Sequence, residues 1–230
     1  MPELLYDKAL IKEEIHLLSE IDDILIKRRS QLVIKRIFDI VFSLFGLVSL
    51  LPLFFLVAIA IKVESKGSAF FKQTRVGKNG TEFKIFKFRT MIADAEKKGM
   101  QITVGNDNRI TKIGSFLRKS KMDELPQLIN VLIGDMSFVG PRPEVPKYVA
   151  LYTDKQRSIL KVRPGITDLA SIEYRDENTL LARSANPEKT YIEDIMPKKF
   201  KLNIKYLKNI STTYDLWLIL KTILWVIKQK

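Results

Sequence analysis

The sequence predicts an α+β protein in which a membrane-inserted, proline-kinked helix precedes a small α/β domain with a β-hairpin and interfacial helices. Three observations support this prediction. A long apolar run lies near the N-terminus, strand-like residues flank an Asn-Gly pair at 79–80, and apolar residues recur at helical spacing in later segments. We divide the chain into a basic segment at 1–34, a membrane helix at 35–63 and a cytosolic domain at 64–230 that ends in an interfacial helix.

The composition restricts both the partners and the chemistry. The chain has 230 residues, and 39 Lys and Arg residues against 26 Asp and Glu residues give a net charge of +13. Such a charge favours anionic partners, namely nucleic acid, phosphorylated metabolites or an acidic membrane face. Cysteine is absent, which excludes disulfides, thiol nucleophiles and thiolate metal sites, and His16 is the only histidine. Catalysis would therefore depend on carboxylates, lysines, arginines and hydroxyls.

Residues 1–30 alternate charged and aliphatic side chains, with leucines and isoleucines near helical spacing. This pattern predicts an amphipathic helix. It lacks the short apolar core and the small-residue cleavage site of a signal peptide. We assign the segment no function beyond a contact with the membrane surface or with a second copy of the chain in a homodimer.

Residues 37–61 form an apolar run in which Asp39 is the only charged residue. The run exceeds the roughly 20 apolar residues that a membrane helix needs. Pro52 removes a backbone hydrogen bond near the middle of the run and predicts a kink. Because basic residues flank both ends, the positive-inside rule does not choose an orientation. A helix that bends at Pro52 and returns would keep both basic ends on the anionic cytoplasmic face, and a straight span is the alternative.

Strand-like residues at 69–71 and 83–88 flank Asn79-Gly80, a type I′ turn signal, and predict a β-hairpin. In its second strand, Lys87 and the following Arg89 are either solvated edge residues or one wall of an anion site. Residues 92–111 are polar and predict a helix followed by a loop.

Two adjacent carboxylates, Asp123 and Glu124, precede a segment in which leucine and isoleucine recur at helical spacing up to a C-capping Gly134. Pro126 is tolerated only in the first turn of a helix, so the pattern predicts a helix that begins near Asp123. Asp123 is then either an ordinary N-cap or part of a reactive site beside the positive end of the helix dipole. The spacing by itself favours the N-cap.

Arg142 lies between Pro141 and Pro143, which restrict the backbone on both sides of it. A guanidinium fixed in this way suits bidentate binding of phosphate or carboxylate. An ordinary surface turn is equally consistent with the pattern.

The C-terminal third contains a second turn and two helical segments. Residues 163–167 (RPGIT) predict the turn, and residues 180–185 predict a helix that ends at Asn186-Pro187. The apolar segment at 217–227 is too short to span a membrane. It suits either an interfacial helix with its tryptophans at headgroup depth or an ordinary core helix.

Taken in order, these segments resemble the bacterial sugar transferases, the monotopic polyprenol-phosphate phosphoglycosyltransferases. The resemblance covers about residues 33–228. It depends on motifs at 35–39 (KRIFD), 84–91 (KIFKFRTM), 123–128 (DELPQL), 134–143 (GDMSFVGPRP) and 163–167 (RPGIT). This ordered agreement makes the N-cap interpretation of Asp123 far less favoured. The sequence contains no nucleic-acid motif, and we expect no nucleic-acid partner.

The resemblance implies transfer of a sugar 1-phosphate from a UDP-sugar to undecaprenyl phosphate, with release of UMP. In the family, the residue matching Asp123 is the nucleophile that forms an aspartyl-phosphosugar intermediate, and Glu124 beside it orients groups or handles protons. The product would begin an O-antigen, capsule, exopolysaccharide or glycoprotein glycan. The expected location is the bacterial inner membrane, with the catalytic domain on its cytoplasmic face.

Phosphoryl transfer depends on positioning and charge neutralisation, so several cations are expected around the carboxylates. The positions that match the family's cationic site residues are Lys87, Arg118, Arg142 and Arg175. With Arg89, they are the candidates for binding the diphosphate and the lipid phosphate. Mg²⁺ is the expected cofactor and Asp123 its expected protein ligand.

Two positions depart from the family pattern. Leu51 rather than serine precedes Pro52, and residues 168–171 read DLAS where GLAQ is usual, so the sugar is not inferred from the resemblance. The alternative to an enzyme is a membrane-anchored basic adaptor that binds acidic lipid or nucleic acid. The adaptor would keep its function in an Asp123→Asn variant, whereas the enzyme would lose it.

Overall fold

The computed structural model describes residues 2–93, 95, 107–174 and 176–228, with the side chains of residues 2–14, 178 and 226–228 left out of the description. Most of the segment predicted as helix and loop at 92–111 lies outside the described residues, as does Arg175. The helices are α1 (Pro2–Lys27), α2 (Arg29–Glu64), α3 (Lys112–Lys119), α4 (Gln127–Ile133), α5 (Pro146–Val149), α6 (Asp154–Arg157), α7 (Leu169–Glu173), α8 (Glu177–Ala182), α9 (Pro187–Thr190), α10 (Met196–Lys208) and α11 (Thr212–Lys228). The strands are β1 (Phe70–Val76), β2 (Glu82–Phe88), β3 (Ser137–Val139) and β4 (Gly165–Thr167).

The apolar run forms helix α2, which is long and apolar enough to cross a membrane. Pro52 lies inside this helix, and the kink predicted there stays a prediction. One side of α2 is buried against the rest of the chain at Asp39, Ser43, Phe54, Val57 and Ile61. The other side exposes large apolar side chains such as those of Phe45, Val48 and Phe55. The helix therefore has one side that faces protein and one that suits lipid.

Polar contacts at the start of α2 explain the charge within its apolar run. Arg36 donates to the carbonyls of Val131 and Leu132 at 2.6 and 2.8 Å, near the negative end of the α4 dipole. Asp39 is only 2% exposed and accepts a hydrogen bond from the Ser137 hydroxyl at 3.0 Å. The charged groups of Arg36 and Asp39 therefore bind protein groups instead of facing hydrocarbon.

The far end of α2 contacts the same domain. The Phe54 ring packs edge-on against Phe88 of β2, with 5.2 Å between the ring centroids. The Glu64 carboxylate accepts hydrogen bonds from the backbone N–H groups of Lys112 and Ile113 at 2.8 and 3.1 Å, at the N-terminus of α3. The helix thus lies along the domain for most of its length.

The predicted hairpin is confirmed. Strands β1 and β2 are antiparallel, and Phe70 pairs with Phe88 at the open end. Asn79 and Gly80 both have positive φ, 57° and 78°, as a type I′ turn requires, and the Thr81 N–H closes the turn. The turn fixes the strand register, which decides where Lys87 lies.

The two faces of β2 pack against different helices. Ile85 lies in a buried cluster with Val131 of α4 and with Met136. Phe88 lies in a second cluster with Phe54 of α2. The hairpin is therefore held between α2 and α4.

A second, parallel sheet joins β3 to β4, and the prediction of a simple turn at 163–167 was wrong. Ser137 pairs with Gly165, and Val139 pairs with Thr167. Two glycines make this pairing possible, because a Cβ on Gly165 would lie 2.1 Å from the Gly140 nitrogen. Pairing between segments so far apart in the chain leaves no local sequence signal.

The C-terminal helix α11 packs against the core on one side and exposes apolar side chains on the other. Leu218 is fully buried in the main core with Tyr206 of α10. Trp217 and Leu220 are exposed on the other side. Ile21 of α1 joins the same core at 1% exposure, so the second half of the N-terminal helix packs against the domain.

The residues between α8 and α10 differ in part from the prediction. Asn186 does not merely end a helix, because its side chain accepts a hydrogen bond from the Lys189 N–H at 3.1 Å and caps α9. From α9 the chain continues through a π-helical turn at Tyr191–Ile195 directly into α10. This turn brings Tyr191 into the core.

Candidate active site

The two carboxylates lie in a 3₁₀ turn, Met122–Glu124, between α3 and α4. The prediction that a helix begins at Asp123 was wrong, because α4 begins at Gln127 with Pro126 as its N-cap. The reason is local. Lys121 has a left-handed φ of 57° that separates the turn from α3, and Pro126 has no N–H with which to continue a helical ladder. Asp123 is therefore not the N-cap of α4.

Glu124 binds two cations from distant parts of the chain. Its carboxylate accepts from Nζ of Lys87 at 2.7 Å and from Nη2 of Arg142 at 2.5 Å. Lys87 comes from β2, and Arg142 comes from the proline-rich segment after β3. The structure thus brings together Lys87, Arg142 and the carboxylate pair, all of which were singled out from the sequence.

Asn130 holds α4 in position against β2. Its side chain is fully buried, accepts from the Phe86 N–H at 2.9 Å and donates to the Lys84 carbonyl at 2.8 Å. These bonds lie on the strand that carries Lys87, so they fix its distance from Glu124. Sequence reasoning did not identify Asn130 as a positioning residue.

The segment that carries Arg142 is pinned rather than exposed. Pro141 and Pro143 are both buried, and the Pro143 carbonyl accepts from Arg75 of β1 at 3.0 Å. The next residue, Glu144, accepts from the Val76 N–H through its backbone carbonyl at 2.9 Å. An ordinary surface turn does not describe this arrangement.

The neighbouring charges separate the pKa values of the two carboxyls. Burial alone would raise the pKa of Glu124, but the charges of Arg142 and Lys87 outweigh it and hold this pKa well below its usual range. Burial raises the pKa of Asp123, and the adjacent Glu124 charge raises it further, against the opposing charges of Lys87, Lys121 and Arg118. Glu124 is thus a fixed anion, whereas ionised Asp123 is left under-stabilised.

Asp123 has the surroundings of a reactive group. The residue is only 8% exposed, and its carboxylate makes no hydrogen bond with the residues that the structure describes. A buried carboxylate without a hydrogen bond carries a free-energy cost that a ligand could relieve. Both oxygens are available to an electrophile or a cation.

Arg118 and Arg89 have different surroundings. Arg118 donates from Nε to the Thr90 hydroxyl at 2.9 Å, and its charge acts on Asp123, so it belongs to the site. Arg89 does not join this cluster. Its guanidinium donates to the carbonyls of Ser65 and Lys66 at 2.7 and 2.9 Å, just beyond the end of α2.

The structure places the Arg89 guanidinium at the end of α2, and its role in binding phosphate stays a prediction. Strand alternation would place Arg89 on the same face as Lys87. However, β2 ends at Phe88, so alternation no longer applies at Arg89. Its side chain stabilises the carbonyl end of α2 instead.

Gln127 is a buried polar residue close in sequence to the carboxylate pair that sequence reasoning did not single out. It is fully buried, and neither its amide nitrogen nor its amide oxygen has a hydrogen-bond partner among the described residues. It lies four residues after Asp123, at the first position of α4. Its sequence signal is a glutamine between Pro126 and Leu128, at the start of the segment that is rich in leucine and isoleucine.

The donor set fits one bound Mg²⁺ only in part. Within the described ranges, no group of three or more Asp, Glu, His or Cys side chains is placed to hold a metal. Glu124 is occupied by Lys87 and Arg142, so Asp123 is the free carboxylate. One carboxylate suits Mg²⁺ when water and substrate oxygens supply the remaining ligands.

Comparison with known proteins identifies the family of this chain. The model of the family described as bacterial sugar transferase matches residues 30–229. The exopolysaccharide production protein PSS of Rhizobium leguminosarum bv. phaseoli is 46% identical over 156 residues, covering 61% of this chain and 74% of that protein.

Two further relatives match a larger share of this chain. The uncharacterized sugar transferase EpsL of Bacillus subtilis is 38% identical over 84% of this chain and 86% of its own length. The UDP-glucose:undecaprenyl-phosphate glucose-1-phosphate transferase of Klebsiella pneumoniae is 37% identical over 84% of this chain, but only 40% of that longer protein is matched. With a family match that extends from residue 30 to residue 229, the chain belongs to the bacterial sugar transferase family and is a transferase.

Proposed function

We propose that this protein transfers a sugar 1-phosphate from a UDP-sugar to undecaprenyl phosphate and releases UMP, with Asp123 as a covalent nucleophile. The observation that carries the proposal is the contrast within the carboxylate pair. Glu124 is bound by Lys87 and Arg142, whereas Asp123 is buried, under-stabilised as an anion and free of hydrogen bonds to described residues. The Klebsiella relative is named for this reaction with UDP-glucose.

The first step forms a bond between an oxygen of Asp123 and the phosphorus that bears the sugar. The bond from that phosphorus to the oxygen bridging the two phosphates breaks, and UMP leaves with this oxygen. Asp123 has to be ionised to attack, and its raised pKa makes it a stronger nucleophile than an ordinary aspartate once it is deprotonated.

In the second step, an oxygen of undecaprenyl phosphate attacks the same phosphorus. The bond from the phosphorus to Asp123 breaks, which restores the carboxylate and gives a lipid diphosphate that carries the sugar. Both steps use one nucleophile and one cationic site, so donor and acceptor would bind in succession.

The cations Lys87, Arg142 and Arg118 neutralise the charge that develops on the phosphate oxygens. Glu124 holds the first two in position before the donor arrives. Arg175 stays a candidate on the family resemblance alone. Asp123 is the residue that would hold Mg²⁺, which supplies further charge neutralisation when it is bound.

The contacts of α2 support a placement in which the helix enters the membrane without crossing it. Arg36 and Glu64, near its two ends, both bond to the same domain. At about 1.5 Å per residue this stretch is roughly 40 Å long. A straight span would draw α4 and the hairpin into the hydrocarbon with it, whereas a bent or shallow helix leaves them on the cytoplasmic face.

Measurement of UMP release tests the proposed chemistry. Detergent-solubilised protein with Mg²⁺ and a panel of UDP-sugars, but without lipid acceptor, should release about one equivalent of UMP from the donor that it uses. Intact-protein mass spectrometry should then show the added sugar phosphate, and undecaprenyl phosphate should remove it. Asp123→Asn should abolish both the release and the mass increase.

Asp154→Asn is the matched control, because Asp154 is exposed at the start of α6 and should behave as the native protein does. If the Asp123→Asn protein still released UMP at the native rate, Asp123 would not be the nucleophile. A strict requirement for the acceptor before any UMP is released would instead indicate direct transfer between the substrates.

The absence of cysteine allows a test of the membrane placement. Single cysteines introduced for Ser30 and Ser65, at opposite ends of α2, can be labelled in sealed vesicles with an impermeant reagent. The proposed placement predicts labelling of both from the cytoplasmic side. Labelling from opposite sides would establish a span.

A further inference from the structure

Asp168 is a buried carboxylate in the surroundings of Arg142, one of the cations of the proposed catalytic site. Strands β3 and β4 are parallel, so they leave their sheet at the same end. The Gly140 N–H donates to the Thr167 carbonyl at 3.1 Å, so the segments that follow the two strands begin side by side. Arg142 belongs to one of these segments and Asp168 to the other, and both line the same small cavity. The parallel pairing therefore places a second carboxylate, besides Glu124, near the guanidinium.

The Asp168 carboxylate is held in place by Ser171. Asp168 is only 1% exposed, and it accepts from the Ser171 N–H at 2.8 Å and from the Ser171 hydroxyl at 2.5 Å. The first of these bonds caps α7. Positions 168 and 171 are also the two at which DLAS departs from GLAQ. The two residues that bond to each other are thus the two that distinguish this chain at this segment.

Arg142 is the cation that remains to compensate the Asp168 charge. Within the described ranges, both hydrogen bonds of the Asp168 carboxylate come from Ser171, and no salt bridge reaches it. The other cation that lines the cavity, Lys199, is bonded to Glu177 at 2.8 Å. A buried charge is costly without an opposite charge nearby. Asp168 therefore depends on the charge of Arg142.

Arg142 is influenced by more than one carboxylate. Glu124 bonds to it directly, and the Glu124 charge is the main reason that the pKa of Arg142 is raised. The charges of Asp168 and Glu144 raise the same pKa further. Glu144 also has two other cations within 3.9 Å, whereas Asp168 forms no ion pair among the described residues. The positive charge that Arg142 offers to a phosphate is thus partly offset by Asp168.

The proposed reaction needs such an offset. Donor and acceptor use the same cations in succession, so UMP has to leave before undecaprenyl phosphate binds. A fully uncompensated cluster of Lys87, Arg118 and Arg142 would bind the UMP phosphate tightly and delay this exchange. A fixed carboxylate near Arg142 opposes phosphate binding by Coulomb repulsion and leaves the guanidinium where it is.

We infer that Asp168 is a second counter-ion of Arg142 and weakens its hold on the UMP phosphate, so that the nucleotide leaves the site. Asp168 is a positioning residue in this role, because it acts through Arg142 and is not itself assigned a contact with the reacting atoms. Ser171 keeps the carboxylate in place. The inference rests on the proposed function, since it concerns release of the product of the same reaction.

A measurement of UMP binding without turnover tests the inference. Asp168→Asn removes the charge and keeps a side chain that caps a helix equally well. In calorimetry with full-length protein in detergent, this variant should bind UMP roughly three- to tenfold more tightly than the native protein, as expected when one charge about 10 Å from a phosphate is removed. Damage to the fold would weaken UMP binding instead, so the direction of the change distinguishes the two effects.

Two further variants separate charge from structure. Ser171→Ala is the matched control, because it removes one hydrogen bond to Asp168 and keeps the carboxylate charge. It should lower the unfolding temperature and leave the affinity for UMP at the native value. Arg142→Met tests the dependence on the guanidinium. In that background, adding Asp168→Asn should change the affinity for UMP little, because the counter-ion has lost its partner.

Equal or weaker UMP binding in Asp168→Asn would overturn the inference, as would the same tightening in Ser171→Ala. An undiminished effect of Asp168→Asn in the Arg142→Met background would mean that Asp168 acts on the nucleotide directly, which also overturns it. Native protein that does not bind UMP would overturn the inference together with the proposed donor. The binding assay does not depend on Asp123 chemistry, so failure of the nucleophile proposal would leave these affinities unaffected.

Discussion

Replacing Glu124 by glutamine removes the anion that holds Lys87 and Arg142 without changing the shape of the side chain. The carboxylate lies 2.7 Å from Lys87 Nζ and 2.5 Å from Arg142 Nη2. At an effective dielectric constant of 20, each contact amounts to about 6 kcal/mol of Coulomb attraction before desolvation is subtracted. The net effect on stability is much smaller, because burial of all three charges opposes it.

Removing one partner of a buried ion pair typically costs about 3–5 kcal/mol. Arg142 is 32% exposed, so water screens part of its interaction and the lower figure applies. We therefore expect Glu124→Gln to lose about 3 kcal/mol of unfolding free energy. For a chain of this size, that loss corresponds to a fall of about 6–12 °C in the apparent unfolding temperature.

The assay is thermal unfolding in detergent at several pH values. The pKa of Glu124 is depressed in the folded protein, so its stabilisation is complete above about pH 4.3, its ordinary value, and is lost as the pH falls through the folded-state pKa. The difference in unfolding temperature between the native and Glu124→Gln proteins should therefore be at its full size at pH 7 and should decrease only in strong acid.

Glu193→Gln is the matched control, because Glu193 forms an exposed ion pair with Lys189 at 3.9 Å. Such a surface pair contributes little, and no clear shift in unfolding temperature is expected. Equal unfolding temperatures for the two variants would refute the reasoning. A difference in unfolding temperature between native and Glu124→Gln proteins that increased as the pH fell would also refute it.

Three other changes test separate features of the structure. Since burial and the Glu124 charge raise the pKa of Asp123, UMP release should rise with pH through a midpoint above the ordinary value of about 3.9, and Glu124→Gln should move that midpoint lower. Gln127→Leu should add about 1–2 kcal/mol of stability in thermal unfolding, because both atoms of the buried amide lack partners among the described residues. Arg89→Met should lower the unfolding temperature and leave UDP affinity in calorimetry unchanged, because its guanidinium binds carbonyls at the end of α2.

Different outcomes would contradict each of these expectations. An unshifted midpoint in Glu124→Gln would mean that the two carboxyls do not interact. A lower unfolding temperature in Gln127→Leu would indicate that its amide has a structural partner. Lys87→Met is the positive control, in which UDP binding should be weaker. A similar loss of UDP affinity in Arg89→Met would indicate that Arg89 binds the donor.

Local patterns predicted those parts of the fold that neighbouring residues decide. The Asn79-Gly80 turn requires positive φ at both positions, and only a few residue types allow it, so the hairpin was evident. Gly134 has φ of 102° and ends α4 as predicted, for the same reason. The apolar run around Pro52 predicted a long apolar helix because its composition leaves no polar face.

The start of α4 was predicted wrongly because two local rules competed. A proline in the first turn of a helix is allowed, which suggested a start at Asp123. The structure instead uses the left-handed Lys121 and a 3₁₀ turn, so Asp123 points into the site rather than capping the helix. The surrounding packing, not the propensity of the segment, selected this alternative.

Composition limited which residues were available for the chemistry to carboxylates, cations and hydroxyls, because the chain has no cysteine and one histidine. The tertiary structure decided which of them meet. Lys87 reaches Glu124 and Arg89 does not, because β2 ends between them at Phe88. Arg142 contacts the same carboxylate because Gly140 and Gly165 allow β3 and β4, which are far apart in sequence, to pair closely. Such contacts depend on chain segments that are far apart in sequence, and no local pattern records them.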